Sequence, residues 1–254
     1  MPFRKRKALQ CAFDYLRSSP FSYQGLIEQL TDCEGYTERE AVYAANNCRA
    51  NWFEQALREA RESFISSPYS YSGLIESLEF DGYTPAEAKY AADNCHVNWY
   101  WQALREAKED LIYNAYSYLE LMESLKLDGY TPAQAKYAAD NCGANWFEQA
   151  VREAKDELKY RPYSYSGIIE SLELDDYTPA EAKYGADNCG ANWYDQAVRA
   201  AKSFLKNKAY SKQEIFIGLK YEGFTDDQAM HSVNSLVYYS EKGNIYRIFH
   251  KKKK

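Results

Sequence analysis

A chain of 254 residues, 46% of them hydrophobic, can bury a sizeable core, which excludes a disordered tail. Its longest apolar runs span only a few residues, far below the roughly 20 that a transmembrane helix needs. The net charge is −6, but without the basic ends at 4–7 and 251–254, 23 basic residues face 37 acidic ones, so the body carries −14. Such a body repels phosphates and favours basic partners.

The N-terminal residues 1–7 are basic, as in a secretion signal, but the segment that follows does not continue the pattern. Gln10 interrupts the apolar segment 8–13, and Asp14 follows it. Cys11 lacks the apolar stretch that precedes a lipid-modified cysteine. We therefore predict no signal peptide, no lipid attachment and a cytoplasmic location. A bacterial cell-surface location is the alternative if a signal has been removed.

The chain repeats itself with a period of 47 residues. Single cysteines recur at this interval in near-identical text, and an Asn-Trp pair follows each of them in the same register; the cysteines are Cys48, Cys95, Cys142 and Cys189. A fixed period of this size indicates a repeat architecture, in which each unit buries its apolar face partly against its neighbours. The predicted divisions are a partial repeat at 1–20, full repeats at 21–68, 69–115, 116–162 and 163–209, and a divergent capping repeat with a basic tail at 210–254.

Within the second repeat, capping residues predict three helices. Ser70 can cap a short helix, and Thr84 with Glu87 forms a capping box at the start of a second one. Asn98 can cap the third helix. The second helix carries a stripe of small residues that permits close helix packing, namely Ala88, Ala91, Ala92 and Cys95. We predict an all-α tandem array of three-helix repeats without β-strands.

The residue types of the repeats do not form a catalytic constellation. Each central repeat has one cysteine and only three histidines exist, so the thiols have neither a base nor metal-ligand spacing and are expected to be reduced and buried. Carboxylates copied into every repeat fit solvated helix faces better than catalysis; these are Glu76, Glu123 and Glu170. We predict no enzymatic activity, no catalytic residue, no metal site and no cofactor.

A helix-turn-helix pattern is also present, but its charge disfavours DNA. The helix that would enter the major groove presents Glu87 and Asp93 against a single Lys89. Nucleic acid is therefore a disfavoured partner.

Aromatic residues make up 16% of the chain and include the candidate binding residues. One tyrosine recurs opposite the small-residue stripe in every full repeat, where it either fills the seam between repeats or lines a binding face; these are Tyr43, Tyr90, Tyr137 and Tyr184. Trp101 replaces the acidic residue of other repeats at a helical position that points outward, and His96 precedes it. Together they single out the second repeat as a candidate contact site.

The blocks Tyr-Ser-x-Ser-Gly-Leu-Ile-Glu-x-Leu, Gly-Tyr-Thr-x-x-x-Ala-x-Tyr-Ala, Asp-Asn-Cys and Asn-Trp-x-x-Gln-Ala, read here within 69–103, resemble the Ltp-type repeat of host cell surface-exposed lipoproteins. The resemblance implies a non-catalytic protein-binding role. In that family the best-known role is superinfection exclusion, in which a surface protein engages the incoming phage tail machinery and obstructs injection of phage DNA. The implied partner is a protein such as a phage tail component.

Three hypotheses follow from the sequence. The first is a tandem-repeat protein that binds another protein through an acidic, tyrosine-rich face. The second is an intracellular nucleic-acid-associated protein, and the third is a structural assembly subunit. The sequence leaves the oligomeric state open.

Overall fold

A computed structural model describes residues 3–207, 210–236, 238–240 and 246–248. These residues are almost entirely helical, as predicted. In chain order the α-helices are α1 (Phe3–Ser18), α2 (Tyr23–Glu28), α3 (Glu38–Asn47), α4 (Trp52–Ser66), α5 (Tyr71–Phe80), α6 (Pro85–Asn94), α7 (Trp99–Tyr113), α8 (Tyr118–Leu127), α9 (Pro132–Asn141), α10 (Trp146–Tyr160), α11 (Tyr165–Leu174), α12 (Pro179–Asn188), α13 (Trp193–Asn207), α14 (Lys212–Tyr221) and α15 (Asp226–Ser235).

The helices begin and end where their capping residues predict. The Ser70 side chain accepts a hydrogen bond from the Gly73 backbone N–H at the start of α5. In the capping box of α6, the Thr84 N–H donates to the Glu87 carboxylate at 2.8 Å. The recurring cysteines are the C-caps of the short helices α3, α6, α9 and α12, as at Cys95 after α6. Local sequence therefore sets the helix boundaries.

Packing groups long helices with the two short helices that follow them, and we call such a triplet a module; α7, α8 and α9 are named a module because they hold the same positions in the sequence repeat. Long helix α4 packs along α6 and α5 packs on α6, and the same arrangement holds for α1–α3, α10–α12 and α13–α15. Leu74 and Leu78 of α5 are fully buried between α4 and α6. Ala56 of α4 and Ala91 of α6 have no exposed surface, so their small side chains let the two helices approach closely.

The modules recur with the 47-residue period of the sequence, and each begins with a long helix. The predicted bounds place each long helix last in its repeat, whereas the packing makes it the first helix of a module. Helix α1, which was predicted as a partial repeat, packs on α3 and so begins the first module. The described residues form two compact units, 1–110 with 122–142 and 111–121 with 143–254.

The first module contains one extra residue, which a π-helical turn accommodates. Leu30 and Gly35 are separated by four residues, one more than between Leu78 and Gly82. The structure places a π-helix over Gln29–Cys33, directly after α2. A π-turn takes up one additional residue without breaking the helix, so the rest of the module keeps its geometry.

A short antiparallel strand pair follows the last helix and was not predicted. Strands β1 (Tyr238–Ser240) and β2 (Tyr246–Ile248) pair in the register Tyr238 to Ile248. The sequence carries a signal that could have found it, because Gly243-Asn244 between two aromatic and β-branched segments is typical of a hairpin. The lysines at 251–254, predicted as a basic tail, lie outside the described residues.

Candidate functional site

Each module holds one tyrosine or histidine of its third helix against the second residue of its long helix. The rings meet edge-to-face with centroids 5.3 Å apart in four modules, in the pairs Phe53–Tyr90, Tyr100–Tyr137, Phe147–Tyr184 and Tyr194–His231. In the first module Lys5 takes the place of the first ring, and its Nζ lies 4.8 Å from the centroid of Tyr43. The four predicted tyrosines therefore occupy equivalent positions in a contact that recurs along the chain.

These ring pairs are only partly covered. Tyr100 is 44% exposed and Tyr137 is 40% exposed, although each packs against the other. By the predicted repeat bounds the pairs join neighbouring repeats, and by the observed packing they lie inside one module. The contact fixes both rings and leaves part of their surface open to solvent. The tyrosines can therefore fill the seam between predicted repeats and line a binding face at the same time.

Trp101 makes the ring pair of the α7–α9 module different from the others. In two other modules a glutamate at this position accepts a hydrogen bond from the paired tyrosine, at 3.3 Å from Tyr90 to Glu54 and at 3.4 Å from Tyr184 to Glu148. Trp101 cannot accept this bond, and it is 53% exposed, which confirms the predicted outward orientation. This module therefore presents a large apolar side chain where the others present a carboxylate.

His96 has a backbone role that the sequence analysis did not recognise. It lies just after the C-cap of α6 with φ of 58°, in the left-handed region. The equivalent residues of the next two modules are Gly143 and Gly190, at φ of 80° and 76°. His96 is exposed, and among the described residues no ring contact joins it to Trp101. Its place in a binding surface remains a prediction.

The repeated tryptophans join one module to the next. Each packs edge-to-face on the first residue of the preceding module's middle helix, with centroids 5.5 to 5.6 Å apart, in the pairs Trp52–Tyr23, Trp99–Tyr71, Trp146–Tyr118 and Trp193–Tyr165. The predicted burial of these tryptophans is only partial, because each lies at the edge of the core. The ring contact spans a junction between two modules.

An arginine of each long helix strengthens the same junctions. Arg105 donates from Nη1 to the Phe64 carbonyl at 2.8 Å, near the end of the preceding long helix. Arg152 does the same with the Leu111 carbonyl at 2.7 Å, and two further arginines repeat the contact, Arg58 and Arg199. Each bond satisfies a helix C-terminal carbonyl with a positive charge, which the helix dipole favours.

A serine of the middle helix adds another bond to the next module. Ser70 Oγ donates to the Asp128 carbonyl at 2.6 Å, and Ser164 Oγ donates to the Glu222 carbonyl at 2.6 Å. The turn that receives the first bond includes Gly129, with φ of 87°, where an added Cβ would lie 2.1 Å from Ser72 Oγ. Close approach of backbone and serine therefore requires glycine there.

Carboxylates gather beside the turns that follow α8 and α11, and all of them are half-buried except the exposed Asp128. Candidate metal-ligating oxygens of Glu106, Asp110 and Asp128 lie within 4.8 Å of one another, as do those of Glu153, Glu157 and Asp175. Burial, followed by the neighbouring carboxylates, raises the pKa of Glu106 to about 7. Burial and the nearby Glu120 likewise raise the pKa of Glu153 to about 7. These oxygens are the ligand type that hard cations prefer.

The carboxylates that the sequence analysis considered are not the ones in these clusters. Glu76, Glu123 and Glu170 are exposed, as predicted for solvated helix faces. The clusters combine two positions of a long helix with the C-cap of the following short helix, as for Glu153, Glu157 and Asp175. The spacing of residues along one helix could not predict these clusters, because their carboxylates come from two helices.

The recurring cysteines are free thiols with structural contacts. Cys48, Cys95 and Cys189 are buried, whereas Cys142 is partly exposed. Each thiol donates to the carbonyl three residues earlier, as from Cys95 to Ala92 at 3.3 Å. Burial raises the pKa of the Cys48 and Cys95 thiols, which disfavours a reactive thiolate.

Residues 4–48 and 192–236 match the family described as host cell surface-exposed lipoprotein, which confirms the resemblance found in the sequence. The two matches coincide with the first and last modules, α1–α3 and α13–α15. No curated protein and no solved structure matches the chain. Among the described helices, none combines the length and apolarity needed to cross a membrane.

Proposed function

We propose, from the two matches to the family of host cell surface-exposed lipoproteins, that this chain is a non-enzymatic protein-binding protein of the superinfection exclusion type. It binds a protein component of an incoming phage, with a tail component as the first candidate, and so obstructs injection of phage DNA. The observation that supports a protein partner most strongly is Trp101, which is 53% exposed beside a fixed aromatic pair.

The contact site lies in the unit formed by 1–110 and 122–142. Trp101 follows Tyr100 on the first turn of α7, and Tyr100 is held against Tyr137 of α9. Exposed aromatic side chains on rigid helices lose little conformational entropy on binding, and tryptophan and tyrosine are the residues that most often dominate the affinity of protein interfaces. His96 at the preceding turn, with Tyr43 and Tyr90 in the earlier modules, extends the proposed site.

The acidic character of the chain supports a partner with basic or apolar surface. The body carries an excess of carboxylates, which steers positively charged proteins toward it and opposes nucleic acid. The family description names a surface-exposed protein, so the proposed location is the cell surface, the alternative that the sequence analysis left open.

The test uses phage-sensitive bacteria that display the chain at the cell surface. Phage adsorption and the amount of phage DNA that reaches the cytoplasm are measured for the original chain and for the Trp101→Ala and Glu148→Ala variants. We expect normal adsorption with reduced DNA uptake for the original chain and for Glu148→Ala, and restored uptake for Trp101→Ala. Reduced uptake that is equal in all three proteins would exclude Trp101 from the contact, and normal uptake in all three would refute the function.

A further inference from the structure

The acidic cluster of Glu153, Glu157 and Asp175 brings several carboxylates close together in one half-buried site. Glu153 and Glu157 are four residues apart on α10 and share one face of the helix, and Asp175 approaches them from the C-cap of α11. Their ligand oxygens lie within 4.8 Å of one another. Glu120 on α8 adds a fourth carboxylate within electrostatic range of Glu153.

The cluster has no counter-ion among the side chains that the structure describes. Among the described residues, no lysine or arginine forms an ion pair with Glu153, Glu157 or Asp175. The nearest arginine on the same helix, Arg152, instead donates to the Leu111 carbonyl. Like charges grouped in a half-buried site are costly unless a cation or protons compensate them.

A buried hydroxyl points to a ligand at the same place. Tyr177 is only 3% exposed, and its hydroxyl has no hydrogen-bond partner among the described residues. Burial raises the pKa of this hydroxyl, and so do the charges of four carboxylates, of which Glu153 and Asp175 belong to the cluster and Glu120 adjoins it; the fourth is Glu181. In the α7–α9 module the equivalent Tyr130 hydroxyl donates to Glu106 Oε2 at 3.4 Å. In the α4–α6 module the equivalent Tyr83 hydroxyl is also buried without a partner among the described residues, but the cluster beside it has only two carboxylates.

One carboxylate oxygen of the cluster, Glu157 Oε2, is also buried without a hydrogen-bond donor among the described residues. Glu157 Oε1 accepts a hydrogen bond from Ser171 at 2.9 Å, whereas the buried Oε2 has no donor among the described residues unless Asp175 is protonated. A buried hydroxyl and a buried carboxylate oxygen, both without partners and in one acidic pocket, would each cost free energy if nothing bound there.

We propose that Glu153, Glu157 and Asp175, with the Tyr177 hydroxyl, bind a divalent cation, and that the cation is calcium. All of these ligands are oxygens, which excludes the soft metals that need sulfur or nitrogen. Calcium accepts oxygen ligands at about 2.3–2.6 Å in flexible geometry, whereas magnesium demands a near-ideal octahedral shell at about 2.0–2.1 Å, so carboxylates that come from two separate helices suit calcium better. The sequence predicts no metal site because its cysteines and histidines lack metal-ligand spacing, and the carboxylates of this cluster come from two separate helices.

Neighbouring modules provide natural controls. The α4–α6 module has Glu59 and Asp81 at the equivalent positions but Ser63 in place of the second glutamate, which leaves two carboxylates. The α13–α15 module has Ala200 and Phe204 on its long helix and keeps only Glu222. The calcium site therefore depends on residues particular to its own module.

The experiment is isothermal titration of the full chain with calcium and, separately, with magnesium, after removal of metal ions. We expect calcium to bind with a dissociation constant of about 10⁻⁵ to 10⁻³ M and magnesium to bind at least about tenfold more weakly. Glu157→Gln should weaken calcium binding about tenfold or more, Tyr177→Phe should weaken it severalfold, and Glu59→Gln should leave it unchanged.

Circular dichroism of each variant shows whether it is folded, and thermal unfolding with and without calcium gives a second measure of binding. Calcium should raise the unfolding temperature of the original chain and of Glu59→Gln, and raise it less for Glu157→Gln. Absence of binding at millimolar calcium would show that protons compensate the cluster and would overturn the proposal. Binding that Glu157→Gln leaves intact, or that only Glu106→Gln removes, would place the ion elsewhere and would overturn it as well.

Discussion

Replacement of Trp146 by alanine tests whether the ring contact between modules stabilises the fold. The Trp146 ring packs edge-to-face on Tyr118, with centroids 5.6 Å apart and planes at 89°. Tyr118 lies on α8 and Trp146 begins α10, so the variant removes the aromatic contact across one junction. The neighbouring Arg152 bond to the Leu111 carbonyl stays in place.

The expected loss can be worked out from the partial burial of the ring. A fully buried tryptophan removes 150–250 Å² from water, so a half-buried one loses about 100 Å² of contact, or about 2.5 kcal/mol. The edge-to-face geometry adds about 1 kcal/mol. We therefore expect Trp146→Ala to lower the free energy of unfolding by about 3.5 kcal/mol, near the lower end of the range for buried tryptophans.

Urea unfolding followed by circular dichroism measures this loss, with a nearest-neighbour repeat analysis in place of a two-state fit. Trp101→Ala is the matched control, because its side chain is 53% exposed and should cost under about 0.5 kcal/mol. An unchanged midpoint for Trp146→Ala, or equal losses for the two variants, would refute the assignment of Trp146 to the junction.

Three further predictions follow from the contacts. Arg152→Ala removes a 2.7 Å bond to a helix C-terminal carbonyl and should cost about 1–2 kcal/mol in urea unfolding; no loss would mean that water replaces the bond. Because the pKa of Glu106 is raised to about 7, the folded chain binds more protons than the unfolded chain between about pH 4.5 and 7, so stability should fall as the pH rises through this range. Urea midpoints measured against pH should vary less for Glu106→Gln, and an identical pH dependence would contradict the shift. The exposed Cys33 should react with a thiol reagent in the native protein, whereas the buried Cys48 should react only on unfolding; rapid native labelling of Cys48 would show that its helix opens.

Residues whose role depends on their own helix could be predicted from the sequence. Thr84 and Glu87 form the expected capping box, because the box involves only neighbouring backbone. Trp101 points outward, because helical phase alone separates it from the core. The small-residue stripe of α6 is buried for the same reason, as at Ala91 and Cys95.

Residues whose role depends on contact between different helices could not be predicted in this way. Arg105 looks like a solvated charge in the sequence, but its bond to the Phe64 carbonyl appears only when two long helices meet. Glu153 and Asp175 approach each other only because α10 packs beside the end of α11. Neither contact has a signature within a single helix, because both partners are ordinary surface residues in their own segments.

The most direct test of the proposed function is photo-crosslinking from position 101 during infection. A photoreactive phenylalanine analogue takes the place of Trp101 in the displayed chain, the cells are irradiated soon after phage adsorption, and crosslinked products are identified by mass spectrometry. The same analogue in place of Glu148 is the control. The account predicts a crosslink from position 101 to a phage protein, present only in infected cells and much weaker from position 148. Crosslinks that are the same in infected and uninfected cells, or none to a phage protein, would contradict it.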